Sequence, residues 1–563
     1  MWRRVQSWAE IDVSSRSPSP PRADTSLDCW DMLCLGAFLL VGFCLVALRY
    51  DSLPLLFWDE SRAANNALEM VRGGHWLVPS YGGVPDHWQT KPPLLIWQIS
   101  VLMRLGLPPL LAVRLPTMLA ALATVGVVWG VCRYALRDRA AATVSGFLLL
   151  SSLFYTKIHI ARTGDYDALL TFFTLCYVLA FWKSIERAGT VRISWFAVSA
   201  AGLVLAVMTK GVAGTFALAG LFVFSLISGR LVILLGNVRV WLLALLALSL
   251  CLAYYGSREQ YDPGYLQAVS QNELAASLTS IDGHAGSPLF YIIRLGVFFE
   301  PGVVLLPLVA LTIFGTDKRR CSLAALCLSC AASILVIITT AQTKVAHYAA
   351  PILPFLAIAA ALGVSDALRW IKAHASQMPA PFRVTPLQIA LGVVLGLTSA
   401  VTLYRNQVVD LRWAQQASNG QFWYGALFEE LQAQRNVAQL VVLDTGVEAL
   451  ARNETLRNYS PVLKFYAEIA RTKGLVVSVA GFDTPISAGE LVATCDPTLV
   501  PLLAHQEGFM VGGWPHSCVF GVTARSLEVP ALRRSGSVLG DRPRRGWACD
   551  LPVMPQRQFS TVV

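Results

Sequence analysis

Charge is what this sequence has least of. Of its 563 residues only 14% are Asp, Glu, Lys or Arg, whereas 55% are hydrophobic. Soluble domains run closer to a quarter charged, so this composition excludes an ordinary soluble domain and places the chain in the membrane class. A concentrated basic tract is also missing. The net charge is +10, but the arginines and lysines recur in small groups between apolar runs. That is the pattern of loops facing anionic lipid, so no nucleic-acid partner is expected. There is no internal repeat, and no glycine fingerprint accompanies Asp444, which follows Val441–Leu443 like a ligand site at a strand end.

The cysteines lack a metal pattern. Twelve are present, most of them inside apolar runs, where they act as small hydrophobes. Cys321, Cys327 and Cys330 have neither partner histidines nor zinc-finger spacing. Cys495, Cys518 and Cys549 fall in the hydrophilic tail, where a Cys495–Cys518 bridge would need an oxidising space. No small-residue cleavage site follows the first apolar run, so that run reads as an uncleaved anchor.

What is present is a series of apolar runs. A spanning helix needs about 20 apolar residues, and eleven stretches qualify as candidates: Leu33–Leu48, Leu110–Cys132, Ala140–Ile160, Ala168–Trp182, Ile193–Met208, Val212–Ile227, Val238–Tyr255, Leu289–Phe314, Leu323–Thr340, Ala346–Val364 and Leu387–Tyr404. Leu94–Leu107 is apolar but short, and Gln98 and Arg104 interrupt it. If it lies along the interface, the groups around Arg133, Lys183, Arg230, Lys318 and Arg369 share the cytoplasmic side with the N-terminus. If it spans, nearly all of them move outside. The positive-inside rule selects the interfacial reading.

The expected architecture is an α-helical polytopic membrane protein of about eleven spans, with interfacial helices in the first external loop and a small external α/β domain at the C-terminus. Its parts are a disordered cytoplasmic N-terminus (1–30), a transmembrane domain (31–404), the external domain (405–535) and a disordered tail (536–563). Within the external domain, Gln439–Asp444, Leu475–Ala480 and Val519–Thr523 read as strands, and Pro461–Lys473 has helical spacing.

The chemistry-bearing residues gather on the external face. In the first loop a short helix is expected after Asp59, with Ala63, Ala64, Ala67, Leu68 and Val71 on one face, lying at the membrane surface. Asp59 is then either a catalyst or simply the N-cap. In the second loop, Asp165 and Asp167 precede an apolar run; carboxylates at that depth are expensive and usually functional, although pairing with Arg162 is the bland alternative. Lys91, Lys210 and Lys344 stand at external ends of apolar segments, and Arg294 lies in the outer third of its span. Each could snorkel to headgroups. Four together point to an anionic ligand such as a lipid phosphate.

The ordered motifs resemble a known family. W-D-E at 58–60, E-M-x-x-G-G-x-W-x-V-P at 69–79, K-P-P-L-x-x-W at 91–97 and R-L-P at 114–116 are followed by R-T-G-D-Y-D-A-L-L-T-F-F at 162–173. T-K-G at 209–211, G-H-A-G-S-P-x-x-Y at 283–291 and K-V-A-H-Y-A-A-P-I-L-P at 344–354 complete the set. This order is similar to that of the lipid-linked-sugar glycosyltransferases of the C-type fold, nearest to aminoarabinose–lipid A transferases and protein O-mannosyltransferases.

The resemblance implies inverting transfer of a sugar from a polyprenyl-phosphate donor to an acceptor such as lipid A, protein or envelope glycan. It implies Asp59 as the catalytic carboxylate, Asp167 as an organiser, and Lys91 and Tyr348 as contacts to the carrier phosphate. Arg294, Lys344, Glu60, Asp165 and His284 are further candidates for donor binding. Thr90 stands where several relatives have Glu, His75 where Asp is frequent and Gly302 where Trp is expected. No metal or other cofactor is therefore expected as obligatory. The expected location is a bacterial plasma membrane with the tail in the periplasm. A transporter or flippase for such lipids is the competing reading, but it would place charges deep in mid-span.

Overall fold

The computed structural model describes residues 28–53, 55–56, 58–157, 159–186, 189–275, 286–374, 393–394, 396–398, 400–410, 423–435, 437–444, 460–480, 485–496, 499–506, 508–511 and 518–524. Residues 1–27 of the expected N-terminus, residues 525–563, which hold the end of the expected external domain and the whole expected tail, His284, and residues 387–392, 395 and 399 of the Leu387–Tyr404 run lie outside the described residues.

The chain is mostly helical and multi-pass. Among the described residues seven helices are long and apolar enough to cross a membrane, or eight if a bent pair forms one span. The difference from eleven has a physical origin. Arg139–Ser151 and Ala217–Ile227 are helical but short for a span. The run read as one span over Leu289–Phe314 is broken into Phe290–Phe298 and Gly302–Ile313, bent by 102°. Pro301 and Pro307 lie at and after this break, where proline removes helix hydrogen bonds. Leu94–Arg104 is a helix of 11 residues, well short of a span.

The two ends of the helical body differ in their charges. At one end, Asp31 pairs with Arg133 and Arg139, Asp138 with Arg320 and Arg369, and Asp366 with Arg320. Basic groups assigned to one side by the positive-inside rule are thus physically gathered there. At the other end lie the first-loop helix and the tail.

The tail forms a five-stranded sheet in the order Val476–Ala480, Gln439–Leu443, Leu491–Thr494, Val519–Val522, Phe509–Val511. The first two pairings are parallel and the last two antiparallel. Leu491–Thr494 and Phe509–Val511 are strands that the sequence reading did not single out. Cys495 and Cys518 form a disulfide joining the ends of two neighbouring strands.

Helix Pro461–Thr472 packs against the first-loop helix Asp59–Gly73. Lys464 Nζ meets Glu69 Oε1 at 2.8 Å, Asn65 Nδ2 donates to Pro461 O at 2.7 Å, and Arg72 pairs with Glu468. The first-loop helix, expected at the membrane surface, is thus covered by the tail on one side. It is enclosed on several sides, and even its polar residues Glu60, Arg62, Asn65 and Asn66 are buried.

Candidate active site

Asp59 opens helix Asp59–Gly73, and Trp58 occupies the N-cap position. The carboxylate is thus not an N-cap. Asp59 Oδ1 lies 3.1 Å from Lys91 Nζ, and both side chains remain part-exposed. Lys91 is placed by the start of helix Leu94–Arg104, whose N-cap is Pro93; proline suits a helix start because its missing N–H has no helical partner there. Its ammonium also lies 5.1 Å from the Tyr166 ring centre and 5.7 Å from that of Trp88.

A second acid–base pair stands beside the first. Asp167 is in the first turn of helix Tyr166–Ile185, and Lys210 ends helix Ile193–Lys210. Each sits where the helix dipole favours its charge. Lys210 Nζ meets both Asp167 oxygens, at 2.7 and 2.9 Å, in a largely buried pair. Tyr348 joins through its ring, 4.8 Å from Lys210 Nζ.

Glu273 completes the cluster, beside Thr90, Lys91 and Lys210. The next residue after Lys210 explains a motif glycine. Gly211 has φ +55°, and a Cβ there would come within 2.6 Å of Glu273 Oε2.

Two histidines link the acids. His347 Nε2 lies 4.0 Å from Asp167 Oδ2, its ring stacks on His159, and His159 Nδ1 lies 3.5 Å from Asp165 Oδ2. Asp165 also accepts from Thr163 Oγ1. The bland partner for these acids, Arg162, reaches Leu45 O, Leu48 O and Asn406 Oδ1.

Glu60, a candidate for donor binding, stands in a buried ion pair. It is fully buried and forks onto Arg114, with Nε–Oε1 at 2.7 Å and Nη2–Oε2 at 2.9 Å. It also accepts from Leu56 N and Gly164 N, each at 2.8 Å. A Cβ on Gly164 would stand 2.5 Å from Val113 Cγ1, so the T-G-D glycine permits this close approach. Glu60 thus ties together the first loop, the Arg114 helix and the second loop.

Lys344 Nζ donates to the carbonyls of Ile338, Thr339 and Ala341, closing the end of helix Lys318–Thr340. Arg294 lies over the Phe290 ring, 4.5 Å from its centre. The structure therefore brings together Asp59, Lys91, Asp167 and Tyr348, with Glu60 paired to Arg114 and Asp165 beside His159. Glu273, His159 and His347 were missed by the sequence reading. His347 lay inside a quoted motif, whereas Glu273 had only its neighbourhood in the fold to mark it.

Charge balance fixes the protonation states. Burial pushes the Asp59 carboxyl up, but Lys91 and Lys210 pull it back further, leaving it below the ordinary carboxylate value. Burial lowers the Lys91 ammonium, yet Asp59 overcomes this and holds it above the usual lysine range. Burial pushes the Glu273 carboxyl up. Among the described residues no group of three or more His, Cys, Asp or Glu side chains is spaced to hold a metal ion.

The multi-pass helical body thus carries two carboxylate–lysine pairs, Asp59–Lys91 and Asp167–Lys210, at one end. Residues 90–255 match the family described as dolichyl-phosphate-mannose-protein mannosyltransferase. Over 188 residues the chain is 28% identical to an undecaprenyl phosphate-alpha-4-amino-4-deoxy-L-arabinose arabinosyl transferase of Pseudomonas savastanoi pv. phaseolicola (strain 1448A / Race 6), covering 31% of this chain. That match spans about a third (32%) of the curated relative's length.

The fold is similar to that of ArnT from Cupriavidus metallidurans bound to undecaprenyl phosphate, with a TM-score of 0.61 and 18% identity. That comparison covers 87% of this chain and 97% of the other. The apo state of the same protein gives a TM-score of 0.59 at 17% identity, with the same coverage.

Proposed function

We propose that this chain is a membrane glycosyltransferase that moves a sugar from a polyprenyl-phosphate carrier to an acceptor hydroxyl or phosphate, with inversion at the anomeric carbon. The observation that carries this reading is the Asp59–Lys91 pair, a carboxylate and a cation 3.1 Å apart with both side chains part-exposed. Inverting transfer needs one base near the acceptor and one group to stabilise the departing phosphate. It does not need two carboxylates at hydrolase spacing.

In this reading Lys91 leaves Asp59 when the donor phosphate arrives and takes the phosphate charge instead. The exchange removes one of the cations that hold Asp59 acidic, the nearest, so donor binding itself makes Asp59 a better base. Asp59 then accepts the acceptor's proton as the acceptor oxygen attacks the anomeric carbon and the carrier phosphate departs. Asp167 and Lys210 hold the neighbouring wall, and Tyr348 stands at its open side as a phosphate contact. Glu60 and Asp165 keep the two loops in register. Arg294, Lys344 and His284 remain outer candidates that could approach a long lipid donor.

The relatives favour undecaprenyl phosphate as the carrier. Lipid A, protein and envelope glycan are the acceptor classes. The Asp59 cluster and the tail are assigned to the periplasmic side of the inner membrane and the N-terminus to the cytoplasm. Supporting this, the tail packs on the first loop, carries a disulfide, and lies away from the gathered arginines. The count of eleven spans follows if the two short helices, the bent pair and the Leu387–Tyr404 run each cross.

The test is turnover of purified full-length protein with a panel of polyprenyl-phosphate sugars, scored by release of free polyprenyl phosphate. Consumption of one donor in the presence of acceptor supports the reading. Lipid movement across vesicles without any donor cleavage would overturn it in favour of a flippase.

A further inference from the structure

A second site lies at the opposite end of the same helices. Helix Tyr166–Ile185 begins next to Asp167 and ends at a cavity of about 240 Å³. At 1.5 Å per residue the 18 steps from Asp167 to Ile185 span about 27 Å, close to the thickness of a bilayer core. The cavity is formed where this helix meets the end of Ala217–Ile227 and the beginning of Lys318–Thr340.

Its lining is divided by chemistry. Trp182, Phe224 and Ile227 supply apolar walls, whereas Arg230, Lys318 and Arg319 bring three cations to it. Among the described residues that line it there is one carboxylate, Glu186, which pairs with Arg319 and lies 3.2 Å from Lys183 Nζ. Trp182 Nε1 donates to Ser322 Oγ at 3.1 Å, fixing the indole against the start of the third helix. An excess of cations above apolar walls at the end of membrane helices is complementary to an anionic headgroup whose chains run back into the bilayer.

We propose that this cavity binds the phosphodiester headgroup of an anionic phospholipid, at the membrane interface opposite the Asp59 cluster. A free phosphate ion offers the same anionic oxygens, so the test separates the two. Full-length protein in detergent is mixed with phosphatidylglycerol or phosphatidylcholine, and retained lipid is counted by native mass spectrometry, with and without millimolar inorganic phosphate.

Phosphatidylglycerol is expected to be retained at least tenfold better than phosphatidylcholine, and to survive inorganic phosphate. Arg230→Ala/Lys318→Ala is expected to reduce that retention at least tenfold while donor turnover stays unchanged. Ala325→Phe, which fills the cavity and keeps every cation, is expected to lose the lipid as well; this second variant decides the matter if the first fails to fold. Equal retention of the two lipids, or unchanged retention in the filled variant, would overturn the proposal. Complete displacement by inorganic phosphate would overturn the lipid assignment and leave a site for a soluble anion.

Discussion

Lys91 Nζ rests 3.1 Å from Asp59 Oδ1, although the two residues belong to different segments of the first loop. One is the first residue of a helix, and the other stands before a proline pair that starts the next. The pairing makes each residue answerable to the other, and in the proposed mechanism donor binding separates them.

Asp59→Asn removes the base while keeping the shape. Transfer is expected to fall by about 10²–10⁴-fold, the usual contribution of a positioned general base. Yield and thermal stability should stay close to the parent, as measured on purified protein. Near-parental turnover would remove Asp59 from the chemistry.

Lys91→Ala should act on donor use. Its KM for the lipid donor is expected to rise at least tenfold, and kcat should also fall because leaving-group stabilisation is lost. Lys91→Arg keeps the charge but not the compact ammonium, so partial recovery is expected. Unchanged donor kinetics in the alanine variant would contradict a phosphate contact.

The pH profile follows from the direction of the shifts. Asp59 is held below its ordinary value of 3.8, so it stays ionised through mild acid and is protonated only as pH falls through that lowered value. Lys91 is held above its ordinary 10.5, so it stays charged into strong alkali. The profile of kcat/KM is therefore expected to lack limbs from either residue between roughly pH 5 and 9. An acid limb within that window would point to Glu273, whose carboxyl burial pushes up, or to His159, which burial lowers but Asp165 holds above its ordinary value; it should vanish in Glu273→Gln or in His159→Gln. Survival of the limb in both variants would contradict the charge assignment.

Glu60 and Arg114 are both fully buried. Removing one partner leaves an uncompensated charge, at a cost of about 3–5 kcal/mol. Glu60→Ala is thus expected to lower thermal stability and yield as well as turnover, unlike Asp59→Asn. A stable, fully folded Glu60→Ala protein that had lost only donor affinity would return Glu60 to the donor site.

Much of this arrangement was legible in the sequence because it rests on local rules. Apolar length marked the seven long helices, and the motifs named Asp59, Lys91, Asp167 and Tyr348, which the fold brings to one end. Periodicity placed helix Pro461–Thr472 and two of its neighbouring strands. What was not legible depends on tertiary contact. The burial of Glu60 needs Arg114 and Gly164 from two other segments. Lys344 looked like a free cation at a span end until the carbonyls of the preceding helix met it. Glu273 carries no local signature, because its place beside Lys91 and Lys210 is made by the fold. The bend of 102° between Phe290–Phe298 and Gly302–Ile313 lay hidden in one continuous apolar run.

The most direct test of the central claim follows a single donor to product. Purified parent protein and Asp59→Asn are each given a labelled polyprenyl-phosphate sugar and acceptor, and the released carrier and product anomer are analysed. The expected result is free polyprenyl phosphate and a product of inverted anomeric configuration from the parent, with neither from Asp59→Asn. Equal product from both proteins, or retention of configuration, would contradict single-base inverting transfer at Asp59.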